Sequence, residues 1–270
     1  MSEAATSAIP SAPAEKVTKP AVSILLPVRN EGGNLRIMLK FLQSMIELPY
    51  EVVVIYDTAD DNCIPVIEEI RAKGYSLLRG VHNTIGRGVG NAIRAGVANA
   101  SADVVTIMCA DDIGPVYAVK DMLALIDDGC DFVSCTRYAR GGRRYGGSLI
   151  GSILSRTANW LFHRMVRSPF SDATTGAKMF RRSLFDSFAL ESRVGWAVVF
   201  EMTIKAQNSG LRLGEVPIVA VDRPYGGTSS FRLGPWVLEY SRWFFWGMRQ
   251  AFTNRSMTRD ITVRIPSVNH

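Results

Sequence analysis

Apolar positions along the chain follow two alternating rhythms. Val22-Ser23-Ile24-Leu25-Leu26 is a short apolar run closed by Pro27 and reads as a strand. Asn30-Glu31-Gly32-Gly33-Asn34 supplies turn and helix-capping chemistry. Leu35, Met38, Leu39, Leu42 and Met45 then recur at helical spacing. Residues 51–56 are almost continuously apolar, which suits a strand covered on both faces of a parallel sheet. The same reading gives a helix over 64–73, a short strand over 75–78, a helix over 89–100 and a strand over 103–108. A helix over 116–127 and a strand over 132–135 follow. Strand and helix in repeated alternation predict an α/β fold with a doubly wound sheet.

Past residue 136 the character changes. Residues 137–147 are rich in Arg and Gly and read as a mobile basic loop. Residues 148–167 form an amphipathic helix carrying Arg156, Trp160, Phe162 and Arg164. A helix and a strand (213–221) share 195–222, and 235–253 is a second amphipathic helix with Trp236, Trp243, Phe244, Phe245 and Trp246. The expected organisation is a disordered leader (1–20), one domain (21–253, divided at 136/137) and a C-terminal tail (254–270). No internal repeat is evident.

A chain of 270 residues with 47% hydrophobic residues suits such a domain. Its net charge of +6 favours an anionic partner, whether nucleic acid, phosphorylated ligand or acidic lipid. Nucleic acid is set aside, because no base-stacking or groove-reading motif accompanies the arginines. The cysteines Cys63, Cys109, Cys130 and Cys135 form no CxxC pair, and a reducing, cytoplasmic setting is expected. No run of about 18 apolar residues occurs that would cross a membrane.

Ligands of open α/β sheets bind at the carboxyl ends of the strands. There the sequence puts Pro27, Arg29, Asn30 and Glu31 after the first strand, and Asp57 with Asp60 and Asp61 after the second. Cys109, Ala110, Asp111 and Asp112 follow the fourth. Such carboxylates either cap the next helices or gather as a site. Asp111 and Asp112 offer hard oxygen ligands to Mg²⁺ or Mn²⁺ bridging a diphosphate. Gly86-Arg87-Gly88-Val89-Gly90 fails as a dinucleotide fingerprint because Asn91 stands sixth. It reads instead as close backbone approach to a phosphate, with Arg87 as an added cation. Arg137, Arg140, Arg143, Arg144, Arg156 and Arg223 are either a solvated basic surface or the means of capturing an anionic acceptor. His82 and His163 have no partner at metal-ligand spacing, and neither HExxH nor a Ser-His-Asp order occurs. The Trp/Phe helix near 243 is either core or, with Arg242 and Arg249, an interfacial helix at a lipid surface.

From about Val22 to Gly247 the chain resembles the family 2 glycosyltransferases, near the dolichyl-phosphate mannose synthase group. The resemblance rests on Ser23-Ile24-Leu25-Leu26-Pro27-Val28-Arg29-Asn30-Glu31, Val54-Ile55-Tyr56-Asp57, Gly86 to Ala92, Ala110-Asp111-Asp112 and Ser134-Cys135-Thr136-Arg137-Tyr138. It continues through Ser155 to Asn159, Ser171 to Lys178, Gly195-Trp196 with Glu201, Glu215-Val216-Pro217-Ile218 and Asp222 to Gly226. Three positions depart from the pattern: Cys109 replaces the first Asp of Asp-x-Asp, Tyr56 replaces the first of a paired Asp, and Ser230 stands where a basic residue is usual.

The resemblance implies a GT-A fold, a nucleotide-sugar donor (GDP- or UDP-linked), a divalent metal and an inverting transfer to a polyprenyl phosphate. It implies that Glu31 and Asp57 contact the nucleoside and that Asp111, alone or with Asp112, holds metal and diphosphate. Arg137, Arg156 and Arg223 would hold phosphates of acceptor or donor. A phosphate acceptor is already ionised, whereas a hydroxyl acceptor needs a base, for which Asp172 is the candidate. Positive charge and two amphipathic helices predict peripheral contact with the cytoplasmic membrane face. A soluble acceptor, a catalytically weakened scaffold and association into a homo-oligomer stay open.

Overall fold

The structure is a computed structural model that describes residues 19–146, 149–221 and 233–266, with the side chains of 149–151 and 233 excepted. The predicted leader lies almost wholly outside the described residues, as does Arg223.

Strands β1 (Val22–Val28) and β2 (Tyr50–Tyr56) run parallel, in register from Val22↔Tyr50 to Val28↔Tyr56. Their apolar residues serve two cores, because successive side chains leave opposite faces of a sheet. Ile24, Leu26, Val52 and Val54 pack with helices α1 (Gly32–Met45) and α2 (Ile64–Ala72). Leu25, Val53 and Ile55 pack on the other face with α3 (Val89–Asn99) and α6 (Ala197–Asn208). A continuous apolar run is what two covered faces require. β3 (Leu78–His82) lies outside β2, and β4 (Val104–Ile107) lies on the far side of β1.

The second half completes the sheet. β5 (Phe132–Thr136) pairs with β8 (Leu213–Pro217), and β8 carries an edge strand, β10 (Thr262–Val263). Between β4 and β5 runs β7 (Lys178–Arg181), antiparallel to both. Among the described residues the order is β10-β8-β5-β7-β4-β1-β2-β3. A second small sheet pairs β6 (Arg143–Tyr145) with β9 (Val219–Val221). Helix α4 (Val119–Asp127) is entered through a 3-10 turn, Gly114–Ala118. A third core joins Phe162 of α5 (Leu149–Met165), Val166 just past its end, Phe200 and Ile204 of α6, and Trp243 of α7 (Leu233–Thr253).

Several expectations change. Pro27 does not end β1 but pairs within it opposite Ile55. Leu25 accepts a hydrogen bond from Met108 N–H, so Pro27, two residues on, faces the same side, beyond the end of β4 at Ile107. Its missing N–H therefore leaves no ladder bond unmade. The strand expected at 75–78 begins at Leu78 instead, because β2 pairs Val52↔Leu78 to Tyr56↔His82. Part of the loop expected over 137–147 is strand β6, the expected strand 213–221 divides at Ile218, and the expected tail contributes β10 and buried Met257.

Gly114 has a packing reason. A Cβ there would run into the Val219 carbonyl and lie 3.0 Å from Ala220 Cα, both backbone. Gly114→Ala is expected to cost about 1–3 kcal/mol, read as a lowered midpoint of urea unfolding.

Candidate active site

The strand order reverses at β1, which has β2 on one side and β4 on the other. A crevice outside the carboxyl ends opens at such a switch point. Asp57 stands just past β2. Its Oδ1 accepts from Asn83 Nδ2 (2.8 Å) and its Oδ2 from Gly88 N–H (2.9 Å). Asn83 Nδ2 also donates to the Gly86 carbonyl (2.7 Å), so two side chains pin the glycine loop to the sheet. Gly86 (φ 136°) and Gly88 (φ 115°) adopt the positive φ that glycine reaches without strain. Arg87 between them is exposed.

The loop after β1 is tied to the loop before α2. Asn30 takes a left-handed φ of 55°, its N–H donates to Asp61 Oδ2 (3.0 Å), and its Oδ1 accepts from Asn62 N–H (3.3 Å). Glu31 Oε2 accepts from Asn34 Nδ2 (2.8 Å) at the start of α1. Arg29 and Asn30 face solvent, Glu31 is half-buried, and Pro27 is buried in the sheet. The residues expected to meet the nucleotide thus lie in two braced loops, one after β1 and one after β3, with Asp57 tied to the second.

Past β4, Cys109 presses on the 174–178 segment, where a Cβ on Gly176 would lie 2.6 Å from Cys109 Sγ. Asp111 and Asp112 are half-buried. Asp112 Oδ1 accepts from Gly114 N–H (3.0 Å) and Val221 N–H (3.3 Å), so this oxygen braces its own loop. Among the described residues no group of three or more His, Cys, Asp or Glu could hold a metal ion. An all-protein metal cage therefore does not fit. Asp111 and Asp112 would be the residues to meet a divalent ion that takes only one or two carboxylates and fills its shell with diphosphate oxygens and water.

The densest polar cluster lies at the end of β5. Arg137 Nε donates to Asp172 Oδ2 (2.6 Å) and Nη2 to Asp172 Oδ1 (2.9 Å), a two-point ion pair with Asp172 fully buried. Asn159 Nδ2 of α5, Thr174 Oγ1 and Thr174 N–H also bond to Asp172 Oδ1. Burial opposes charge on Asp172, yet the Arg137 guanidinium holds its carboxyl below the usual range. The same partner raises Arg137 against its burial. Both oxygens of the candidate base Asp172 are thus engaged within the protein, chiefly by Arg137. The Arg156 guanidinium of α5 lies 5.4 Å from the Tyr138 ring centroid and that of Arg137 5.2 Å, which brings two of the expected phosphate-binding arginines around one tyrosine.

Beneath this cluster lie groups not singled out from the sequence. Lys178 of β7 is fully buried and donates to Ser134 Oγ (2.8 Å); burial pulls its ammonium down to about 8. Glu215 of β8 is buried against the 171–172 turn, and burial pushes its carboxyl up to about 7. Tyr240 of α7 reaches the same neighbourhood: its hydroxyl is raised by burial and feels Arg137, Cys109 and Asp172. The Glu-Val-Pro-Ile motif could have pointed to Glu215, but nothing in the helical pattern of α7 distinguishes Tyr240.

The family model for glycosyl transferase family 2 matches residues 23–188. The chain belongs to the family 2 glycosyltransferases. A dolichol-phosphate mannosyltransferase of Pyrococcus furiosus is 25% identical over 226 residues, 82% of this chain and 62% of that protein. A polyprenol monophosphomannose synthase of Mycolicibacterium smegmatis is 28% identical over 126 residues, 46% of this chain and 47% of that protein. The aligned regions thus span less than two thirds of either relative. Glucosyl-3-phosphoglycerate synthase of Mycobacterium tuberculosis, solved with Mn²⁺, UDP and glucosyl-3-phosphoglycerate, superposes with a TM-score of 0.62 at 16% identity, covering 92% of this chain and 82% of that one. A mannosyltransferase of Pyrobaculum calidifontis, solved with GDP-Man and Mn²⁺, gives 0.58 at 19% identity, covering 89% and 66%. These likenesses establish the GT-A fold, and this family 2 glycosyltransferase carries its expected donor-site motifs on one edge of the sheet.

Proposed function

We propose that the enzyme transfers a sugar, with inversion, from a GDP- or UDP-sugar to a polyprenyl phosphate or related lipid acceptor at a membrane surface. The observation that carries this reading is the position of Arg156. It stands beside Tyr138 and Arg137 on α5, whose outer side exposes Ile153 (57%) and Trp160 (62%). Helix α7 adds exposed Leu238 (74%), Phe245 (65%) and Phe252 (79%), each seven residues from the next. Guanidinium groups suit a phosphate head, and an apolar stripe flanked by Arg242 and Arg249 suits the lipid around it. No helix among the described residues is long and apolar enough to cross a membrane, so contact through α5 and α7 is peripheral. The names of the two curated relatives support a lipid-phosphate acceptor.

The glycine loop and the rim around Asn30 and Glu31 hold the nucleotide, with Asp57 fixing the loop from below. Asp111, with Asp112 bracing it, would hold Mg²⁺ or Mn²⁺. When bound, that ion neutralises charge on the departing diphosphate. Arg137 and Arg156 hold the acceptor phosphate, whose oxygen is already ionised and attacks without a protein base. Asp172 keeps Arg137 aimed.

Transfer of radiolabel from a panel of GDP- and UDP-sugars tests the reading. With a short polyprenyl phosphate and Mg²⁺ or Mn²⁺ present, label is expected in the organic phase. Arg156→Ala is expected to raise the apparent KM for the lipid by roughly tenfold, the loss of one charge-assisted contact. Label confined to a water-soluble product would overturn the lipid acceptor. The enzyme is also expected to bind acidic phospholipid vesicles at low salt, and Phe245→Asp with Phe252→Asp to abolish that binding.

A further inference from the structure

Buried Glu215 lies outside the mechanism above, yet both supports of Arg137 lead to it. Its Oε1 accepts the N–H groups of Ser171 (3.1 Å) and Asp172 (3.1 Å), fixing the backbone that aims the Asp172 carboxylate at Arg137. Its Oε2 accepts from Ser171 Oγ (2.8 Å). Ser171 Oγ lies 2.6 Å from Thr136 Oγ1, which accepts the N–H groups of Tyr138 (3.1 Å) and Ala139 (3.2 Å). One carboxylate thus secures the turn that bears Arg137 and, by a second path, the partner that grips its side chain.

The hydrogens settle the charge this network needs. Thr136 Oγ1 already accepts two N–H groups, so its single hydrogen goes to Ser171 Oγ. The Ser171 hydrogen then goes to Glu215 Oε2. A proton on Oε2 would reverse that chain and turn a hydroxyl hydrogen at Thr136 against its own donors. A proton on Oε1 would face two N–H groups. Every donor is met only when Glu215 is ionised.

We propose that Glu215 is a positioning residue for Arg137, and that ionisation of this carboxylate holds the guanidinium in its working place. The proposal rests on the reading of Arg137 as a phosphate-binding group. The charged and titratable groups around Glu215 come from each neighbouring element. Asp172 lies on the adjoining turn, Lys178 on β7, Cys135 on β5, and Arg137 beyond β5, with Asp112 and Tyr240 one layer out. β10 leads into Arg264, whose side chain turns away to Asp121 (2.8 Å) and Asp128 (3.6 Å). Burial raises the carboxyl to about 7, so its charge is gained and lost across neutrality. Lys178, lowered to about 8, loses its charge on the alkaline side, so a midpoint there belongs to it and not to Glu215.

The test is nuclear magnetic resonance of the full chain labelled with ¹³C at Glu and uniformly with ¹⁵N, titrated across neutral pH. The Glu215 carboxyl and the Arg137 Nε–H signals are expected to move together, with one midpoint at about 7. In Glu215→Gln the Arg137 signal is expected to stop titrating, and kcat to lose its acid limb and fall on the order of tenfold, with donor KM unchanged. In Thr136→Val, a second variant should the first fail to fold, Arg137 Nε–H still titrates while the Tyr138 amide no longer follows. An Arg137 signal that stays still while Glu215 titrates, or that titrates unchanged in Glu215→Gln, overturns the proposal. Signals that move together in a protein turning over no nucleotide sugar would uphold the positioning role and sink the transferase reading instead.

Discussion

Asp172→Ala is expected to lose about 3–5 kcal/mol of folding stability at neutral pH, the cost of leaving one member of a buried ion pair without the other. The substitution strands Arg137, whose side chain is 13% exposed, and removes the acceptor for Asn159 Nδ2 and Thr174. Transfer activity should fall with it, because the guanidinium loses its aim. Asp172→Asn keeps shape without charge and is expected to fall between the two. pH gives a further check. The Asp172 carboxyl is held below its usual range in the folded protein. Its contribution is therefore complete above the unfolded carboxylate value, about 3.9, and is lost as pH falls through the lower folded value. The gap between wild type and Asp172→Ala in denaturant unfolding should persist from neutrality down to that region, changed near neutrality only by the altered titration of Glu215, and close only below it. A gap that closes between pH 7 and 5 would contradict the ion pair.

Asp57→Ala is expected to weaken nucleotide-sugar binding by about 10- to 100-fold, while changing stability far less than Asp172→Ala. A hydrogen bond to a charged group is worth about 1.5–3 kcal/mol, and 1.4 kcal/mol is tenfold in affinity, so the expected weakening corresponds to the net loss of about one such bond, with water taking up the rest at this half-buried carboxylate. Here two such bonds, from Gly88 N–H and Asn83 Nδ2, shape the glycine loop rather than bury a charge. Asp57→Asn is expected to lose the smaller share, because its remaining carbonyl oxygen satisfies one donor. Calorimetric titration with GDP and UDP, with and without Mg²⁺, measures the effect. Unchanged affinity in Asp57→Ala would remove the glycine loop from the donor site.

The first half of the fold was legible because its strands are covered on both faces, and continuous apolar runs announce that. β7 was not: Lys178-Met179-Phe180-Arg181 is short, begins with a charged residue and alternates with neither rhythm. Its place in the sheet comes from partners on β4 and β5 that are distant in sequence. β6 was hidden likewise, since Arg143-Arg144-Tyr145 becomes a strand only beside β9. The loops bearing Asn30, Glu31 and Asp57 could be placed from the sequence because they follow directly on β1 and β2. The Arg137–Asp172 pair could not, because it joins residues 35 positions apart. Asp172 drew attention as a lone carboxylate, and a sequence does not show that a lone carboxylate already has a partner.

The antiparallel strand β7 comes from beyond residue 137 yet lies between β4 and β5, which precede it, so the two halves of the chain share one continuous sheet. Hinging the halves apart would break ladders on both sides of β7, so this enzyme does not work as a clamshell. Donor and acceptor must be admitted, and product released, by movement of segments above the sheet while the sheet stays whole. Substitutions that stiffen the sheet should therefore raise heat tolerance without slowing the reaction.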